Sequence, residues 1–240
     1  MATDDALLAR ARESGEAVFR VYSWATPVLS FGRNQRALGI YDEAELDRRG
    51  ITVVRRPTGG RALLHHREVT YSVTAPVDAA ERLLATYKRI NGLLLDALAA
   101  CGVAAAIAQP ETRAIIPGEQ PCFAEPAAGE IVVDGRKLVG SAQWRDDGAL
   151  LQHGSILVAD DQSIIPQLMR SPVAPPPTPA GLAELMGRQP NAAELAEALF
   201  AEVRRTLDPS ASPLGDGEVL ALRVTSIANR YRDPAWTWRR

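Results

Sequence analysis

The sequence predicts an α+β fold, and three observations carry that prediction. Short β-branched or apolar runs recur on both sides of one long helical pattern at residues 79–100. The runs within 130–158 are separated by Asp134-Gly135 and Asp146-Asp147-Gly148, sequences that turn antiparallel hairpins. Regular strand–helix–strand alternation, which a parallel sheet would need, does not occur.

Taken in order, residues 4–14 form a first helix, with Asp4 or Asp5 near its start, Leu7, Leu8 and Ala11 on one face, and Gly15 as its stop. AVFRVY (17–22) and PVLSF (27–31) read as two strands joined by a turn around Trp24. Asp42 caps a short helix that ends in Arg48, Arg49 and Gly50. ITVVR (51–55), RALLH (61–65) and EVTYSV (68–73) are strands by their β-branched or apolar content. In the long helix, Leu83, Leu84, Tyr87, Ile90, Leu94 and Leu98 recur at helical spacing before Cys101-Gly102 closes it. A strand at 103–107 follows. Residues 109–129 carry Pro110, Pro117, Pro121 and Pro126 and are expected to be a loop. Residues 130–158 make three antiparallel strands. A helix at 160–170, broken at Pro166, leads into an extended proline-rich stretch at 171–179. Helices near 191–207 and 216–231 and an aromatic, basic tail complete the chain, so that roughly 171–240 is expected to cap a single domain spanning 1–240.

Composition narrows the function classes. The 240 residues carry a formal net charge of −2, which argues against a nucleic-acid binder, for which a strong basic excess is expected. Two cysteines and three histidines provide neither a disulfide framework nor zinc-finger spacing, and no metal site is expected. No apolar run reaches the ~18–20 residues that span a bilayer. The acidic start MATDDALLAR is unlike a secretory signal. A soluble, cytoplasmic protein with no membrane partner is the expectation.

Four features bear on chemistry. Arg55 and Arg56 run into Pro57-Thr58-Gly59-Gly60, either a tight turn with solvated charges or a place where backbone N–H and guanidinium groups meet an anion. No Walker-type loop and no GxGxxG are present. Lys137 lies in a strand beside a hairpin turn; strict alternation puts Lys137 and Val139 on one face and Arg136, Leu138 and Gly140 on the other. An outward lysine is commonplace there, whereas an inward one would hold a carbonyl or phosphate oxygen and lower a thiol pKa. Cys122, between prolines, is a small hydrophobe or a nucleophile, while Cys101 at a helix end reads as packing. His153 precedes Gly154, a strand glycine that marks a bulge or a close approach. His65 and His66 point in opposite directions, so one of them, taken as His65, faces inward.

Taken together, RRPTGGRALLHH, PCF, GRKLVGSAQ and LQHGSIL resemble the biotin/lipoate protein ligase and lipoyl/octanoyl transferase superfamily. MATDDALL and VLSFGRNQ ahead of them, and YRDPAWTWR near the end, extend the resemblance over nearly the whole chain. It is nearest to the single-domain, cysteine-dependent octanoyltransferase branch that resembles lipoate ligase A. The resemblance implies a class II biotin/lipoyl-synthetase-like α/β sandwich around a central antiparallel sheet, with an acyl tunnel for which Leu63, Leu64 and the 149–151 run are the guessed walls. It implies transfer of an octanoyl group from octanoyl-acyl carrier protein through a cysteine thioester to a lysine of a lipoyl domain, such as the glycine-cleavage H protein or a 2-oxoacid dehydrogenase E2.

In that pattern Cys122 is the acyl acceptor and Lys137 the pocket lysine. Arg56, Thr58, Gly59, Gly60, His65, Gly140, Ser141, His153 and Gly154 fall on substrate-binding positions. No cofactor is implied for the transferase; ATP and Mg2+ enter only if the chain is instead a lipoate ligase. Two further alternatives are an amidotransferase moving octanoyl groups between lipoyl domains and a non-catalytic carrier-binding protein. Two departures stand out: His65-His66 replaces the usual His-Asp, and Glu130 stands where ligases have Asn-Asp. Because the carriers are acidic as a class, Arg33 or Arg36 is a guess for the docking surface.

Overall fold

The computed structural model describes residues 1–78, 80–109, 129–171, 173–215 and 217–240. Its centre is a six-stranded, fully antiparallel sheet in the order β1-β5-β9-β8-β7-β6. These strands are β1 (Val18–Tyr22), β5 (Glu68–Pro76), β6 (Ala106–Ile107), β7 (Ile131–Val133), β8 (Arg136–Asp146) and β9 (Ala149–Leu157). Both expected hairpins are present. Asp134 and Gly135 have φ of 49° and 73°, and Asp147 and Gly148 have 43° and 75°, the positive pairs that let a two-residue turn follow strand twist.

A second sheet contains β2 (Val28–Phe31), β3 (Thr52–Arg55) and β4 (Leu63–His65) in the order β3-β2-β4. The two strands expected on either side of Trp24, β1 and β2, are both present and belong to different sheets. The β2–β3 pair is parallel, and the intervening α2 (Glu43–Arg48), capped by Asp42 as expected, supplies the crossover that a parallel pair needs.

Helix α3 (Leu83–Ala100) covers one face of the large sheet, burying Ile90, Leu94, Ala97 and Leu98 against Val69, Tyr71, Val73, Val139 and Ile156. Cys101 caps that helix and packs on the same core, and burial pushes its thiol pKa up. The opposite face receives α1 (Ala2–Ser14), whose Leu8 and Ala11 pack on Ala149 and Leu151. The C-terminal helices divide between these layers instead of forming one cap. Helix α4 (Leu182–Met186), absent from the sequence reading, and α5 (Ala192–Thr206) join the α3 side through Leu182, Leu195 and Leu199. Helix α6 (Glu218–Arg232) packs along α1, and short α7 (Pro234–Thr237) brings Trp238 onto the small-sheet core. The segment around Pro166 is a 3-10 helix, Gln162–Leu168, consistent with a proline that cannot donate to an α-helical ladder.

Candidate active site

The Arg56–Gly60 turn leaves the end of β3 and is held from three sides. Arg56 spends its guanidinium on the chain's own oxygens: Nε donates to Gly59 O (3.1 Å), Nη1 to Ser30 O (3.1 Å) and Ser30 Oγ (3.0 Å), and Nη2 to Arg61 O (2.6 Å). Gly60 takes φ 96°, and a Cβ there would lie 2.7 Å from Arg56 Nη2, so both conformation and space require glycine. Gly59 and Gly60 are exposed, and their N–H groups meet no acceptor among the described residues. Two adjacent, unengaged amides are suited to receive a carbonyl or phosphate oxygen.

Gly32, at the end of β2, lies against this turn; a Cβ on it would sit 1.9 Å from Gly60 O. Because the obstruction is backbone, Gly32→Ala is expected to displace the turn and destabilise the protein by about 1–3 kcal/mol. Urea unfolding checks this, and an unchanged midpoint would contradict it.

Each inward-facing histidine ties a hydroxyl of this region to a carboxylate. His153 Nε2 is 2.6 Å from Thr58 Oγ1, and its Nδ1 lies 3.7 Å from Asp4 Oδ2. His65 Nε2 is 2.8 Å from Ser30 Oγ, and its Nδ1 is 2.8 Å from Glu68 Oε1. Trp24 stacks on His65 with 4.4 Å between ring centroids. His66 is exposed on the other side, as strand alternation requires. Asp4 is fully buried. Burial opposes its charge, but the Met1 ammonium, His153 and Arg20 outweigh burial and hold the carboxyl well below the usual carboxylate range. Burial pushes the His153 pKa down, Asp4 opposes that shift, and Arg56 adds to it, which keeps the imidazole neutral at pH 7. With both ring nitrogens directed at protein partners, His153 positions Thr58 and hence the turn.

Lys137 lies on the same sheet face as His153, for a reason that simple alternation missed. The β7–β8 register shifts between Ile131 and Val132, so Ile131 pairs with Val139 but Val132 with Lys137. This bulge turns Leu138 and Val139 together into the α3 core, where Ile131 and Val133 also pack, and leaves Lys137 with Val132 on the opposite face. Lys137 Nζ donates to Glu130 Oε1 at 2.7 Å, and both residues are buried. Glu130, which the sequence marked only as a departure, is therefore the lysine's ion-pair partner.

The remaining expected site residues separate. Gly140 pairs with Ser155, on the His153 face. Ser141 and Gly154 pair with each other on the α3 face, where Ser141 Oγ is 2.6 Å from Tyr71 Oη. Gly154 sits in regular pairing, without a bulge. A Cβ there would come within 2.5 Å of Gly140 O and 2.7 Å of the Tyr71 ring, so the close approach is the protein's own. The guessed tunnel walls are core: Leu64 packs with Phe31 and Ile165, Leu63 with Leu157, Leu150 in the α3 core, and Ala149 and Leu151 against α1. Cys122 lies outside the described residues.

Asp4 and Glu68 were missed as parts of the site. A signal for Asp4 was available, since it shares the i, i+4, i+7 stripe with Leu8 and Ala11 and so had to face inward.

This fold is that of lipoate protein ligases. The bi-partite lipoate protein ligase of Thermoplasma acidophilum, studied with its E2 lipoyl domain, superposes with a TM-score of 0.78 over 99% of this chain and 89% of that one, at 19% identity. The chain belongs to the lipoyl protein ligase A/B catalytic domain family, whose pattern matches residues 1–204. It is 41% identical over 184 residues to octanoyltransferase LipM of Kyrpidia tusciae, covering 72% of this chain and 66% of the relative. With octanoyltransferase LipM of Symbiobacterium thermophilum it shares 37% identity over 228 residues, 89% of this chain and 83% of the relative.

Proposed function

We propose that the protein is an octanoyltransferase that accepts an octanoyl group on Cys122 from acyl carrier protein and passes it to a lysine of a lipoyl domain. The observation that carries this reading is the 37% identity to an octanoyltransferase across 89% of the chain. The acceptor is a lipoyl domain such as that of the glycine-cleavage H protein or a 2-oxoacid dehydrogenase E2. The donor in this reading is a soluble carrier and the reaction a cytoplasmic one; among the described residues no helix is long and apolar enough to cross a membrane.

In the first half-reaction the Cys122 thiolate attacks the carrier thioester carbonyl, a C–S bond forms, and the carrier thiolate leaves and takes up a proton. In the second, the acceptor lysine, having lost one proton, attacks the enzyme thioester; the C–N bond forms, the nitrogen gives up its second proton to water, the C–S bond breaks, and Cys122 leaves as thiolate. One thioester replaces another in the first step, so no ATP is consumed. Lys137 supplies a cation on the active face, which favours the thiolate and polarises the carbonyl, and the Gly59 and Gly60 amides are donors for the developing oxyanion. Each octanoyl methylene removed from water contributes about 0.8 kcal/mol to holding the chain.

Incubation with octanoyl-acyl carrier protein, without ATP, is expected to add one octanoyl mass to the peptide containing Cys122. Cys122→Ala is expected to abolish both that adduct and octanoyl transfer to a lipoyl domain. An enzyme that requires ATP, exchanges pyrophosphate in the presence of free acid and tolerates Cys122→Ala would be a ligase, and the transferase reading would fail.

A further inference from the structure

A group of arginines starts at the Gly-Gly turn and continues outward over the surface. Arg33 lies on the turn: its N–H donates to Thr58 O (2.8 Å) and its guanidinium to Pro57 O (3.4 Å). Arg239 Nη2 donates to Arg33 O at 2.6 Å. The N–H groups of Ala37 and Leu38 both reach Arg240 O at 2.8 Å, which seats Arg36 and Leu38 beside Arg239 and Arg240. Arg230 and Arg239 both stack on Trp236, with 3.8 and 3.9 Å to the ring centroid. Arg36, Arg230, Arg239 and Arg240 are exposed, and Leu38, 62% exposed, stands among them.

The like charges are close enough to act on one another. Burial lowers the Arg239 pKa, and Arg33, Arg240 and Arg230 lower it further. Of the acids nearby, Asp5 pairs with Arg230 at 3.5 Å, and Asp233 is turned to the N–H of Ala235 as a helix cap. In a chain of net charge −2, positive charge is thus concentrated at one edge of the candidate site.

We infer that this arginine rim is the docking surface for the acyl donor, an acidic carrier protein whose acyl-bearing arm includes a phosphodiester. The inference rests on the acyl-transfer reading. A cationic rim attracts an acidic surface and an anionic arm and speeds their encounter. Leu38, exposed beside Arg240, adds an apolar contact to the charged surface, a combination usual in a docking patch.

Arg36 is the residue to reverse, being exposed. Binding of a purified bacterial acyl carrier protein is expected to weaken as salt rises, and Arg36→Glu is expected to weaken it at least tenfold and flatten that salt dependence. Leu38→Asp, with the arginines intact, is expected to weaken binding as well. In steady-state transfer, Arg36→Glu is expected to raise KM for the octanoyl-carrier at least tenfold. Turnover with the small donor octanoyl-N-acetylcysteamine should stay within twofold of wild type. Carrier binding unaffected by Arg36→Glu would overturn the inference, as would equal losses with both donors or a rise confined to the KM for the lipoyl domain. A wild-type protein that transfers from neither donor would count against the acyl-transfer reading, and the binding titration would still decide the docking surface.

Discussion

Lys137→Met is expected to lower acyl-enzyme formation at least about a hundredfold, the usual effect of removing one group that stabilises the developing oxyanion. It is also expected to cost about 3–5 kcal/mol of stability, because it takes the ammonium away from a buried carboxylate. The Lys137–Glu130 contact is 2.7 Å long and both partners are buried, so each charge offsets part of the desolvation of the other. Methionine matches the length of the lysine stem but offers Glu130 no proton donor. The double variant Lys137→Met/Glu130→Gln removes both charges and is expected to recover most of the stability while leaving the reaction as slow as in the single variant. Urea midpoints and single-turnover rates, measured on both variants, separate the two roles. If Glu130→Gln restored transfer along with stability, the lysine would be a structural counterion and its assignment to the chemistry would fail.

How far the sequence revealed this site depended on whether the relevant signal was local. The two turns that build β7–β8–β9 were legible because Asp-Gly pairs adopt positive φ at little cost, and both do so here. Helix α3 was legible because its apolar period lies within one element. The bulge before Val139 was not, since it depends on how β7 meets β8 and not on the residues of β8 alone. Strict alternation therefore placed Lys137 with Val139, on the wrong face. The parallel β2–β3 pair was missed for a similar reason: a crossover through α2 leaves no hairpin signal between its strands. That His65 and His66 face opposite ways followed from period-2 alternation, but which of them faces inward did not, and the partner Ser30 comes from β2, 35 residues away, and could be found only after folding. Arg56 has a role that its residue type did not suggest: it holds the turn that presents the Gly59 and Gly60 amides.

The acid sensitivity of the protein is expected to trace to Asp4 and His153, which tie α1 to the Thr58 turn. Asp4 has a folded pKa far below its unfolded value of about 4, so its contribution is complete above that pH and is lost as the pH falls through and below it. His153 has a folded pKa below its unfolded value of about 6.5. The unfolded chain therefore binds that proton first, and stability falls as the pH drops below about 6.5. Wild-type stability should accordingly decline in two stages, the first through the histidine and the second through the carboxylate. Asp4→Asn is expected to cost about 2 kcal/mol at pH 7, because Arg20 Nη1, 2.9 Å from Oδ1, loses its charged acceptor. It is also expected to remove the second stage while keeping the first. His153→Gln keeps a donor near Thr58 and should remove the first stage while leaving the carboxylate stage in place. Denaturant titrations at half-unit intervals from pH 3 to 8 resolve both stages. An Asp4→Asn profile parallel to wild type between pH 3 and 5 would mean that the buried carboxylate gains nothing from its partners. Should the stages separate as expected, the rate of acyl-enzyme formation at pH 7 then tests whether the tie reaches the chemistry. Asp4→Asn leaves the Gly59-Gly60 amides in place but loosens the histidine that orients Thr58 beside them, so it is expected to lower kcat several-fold with little change in KM for the carrier.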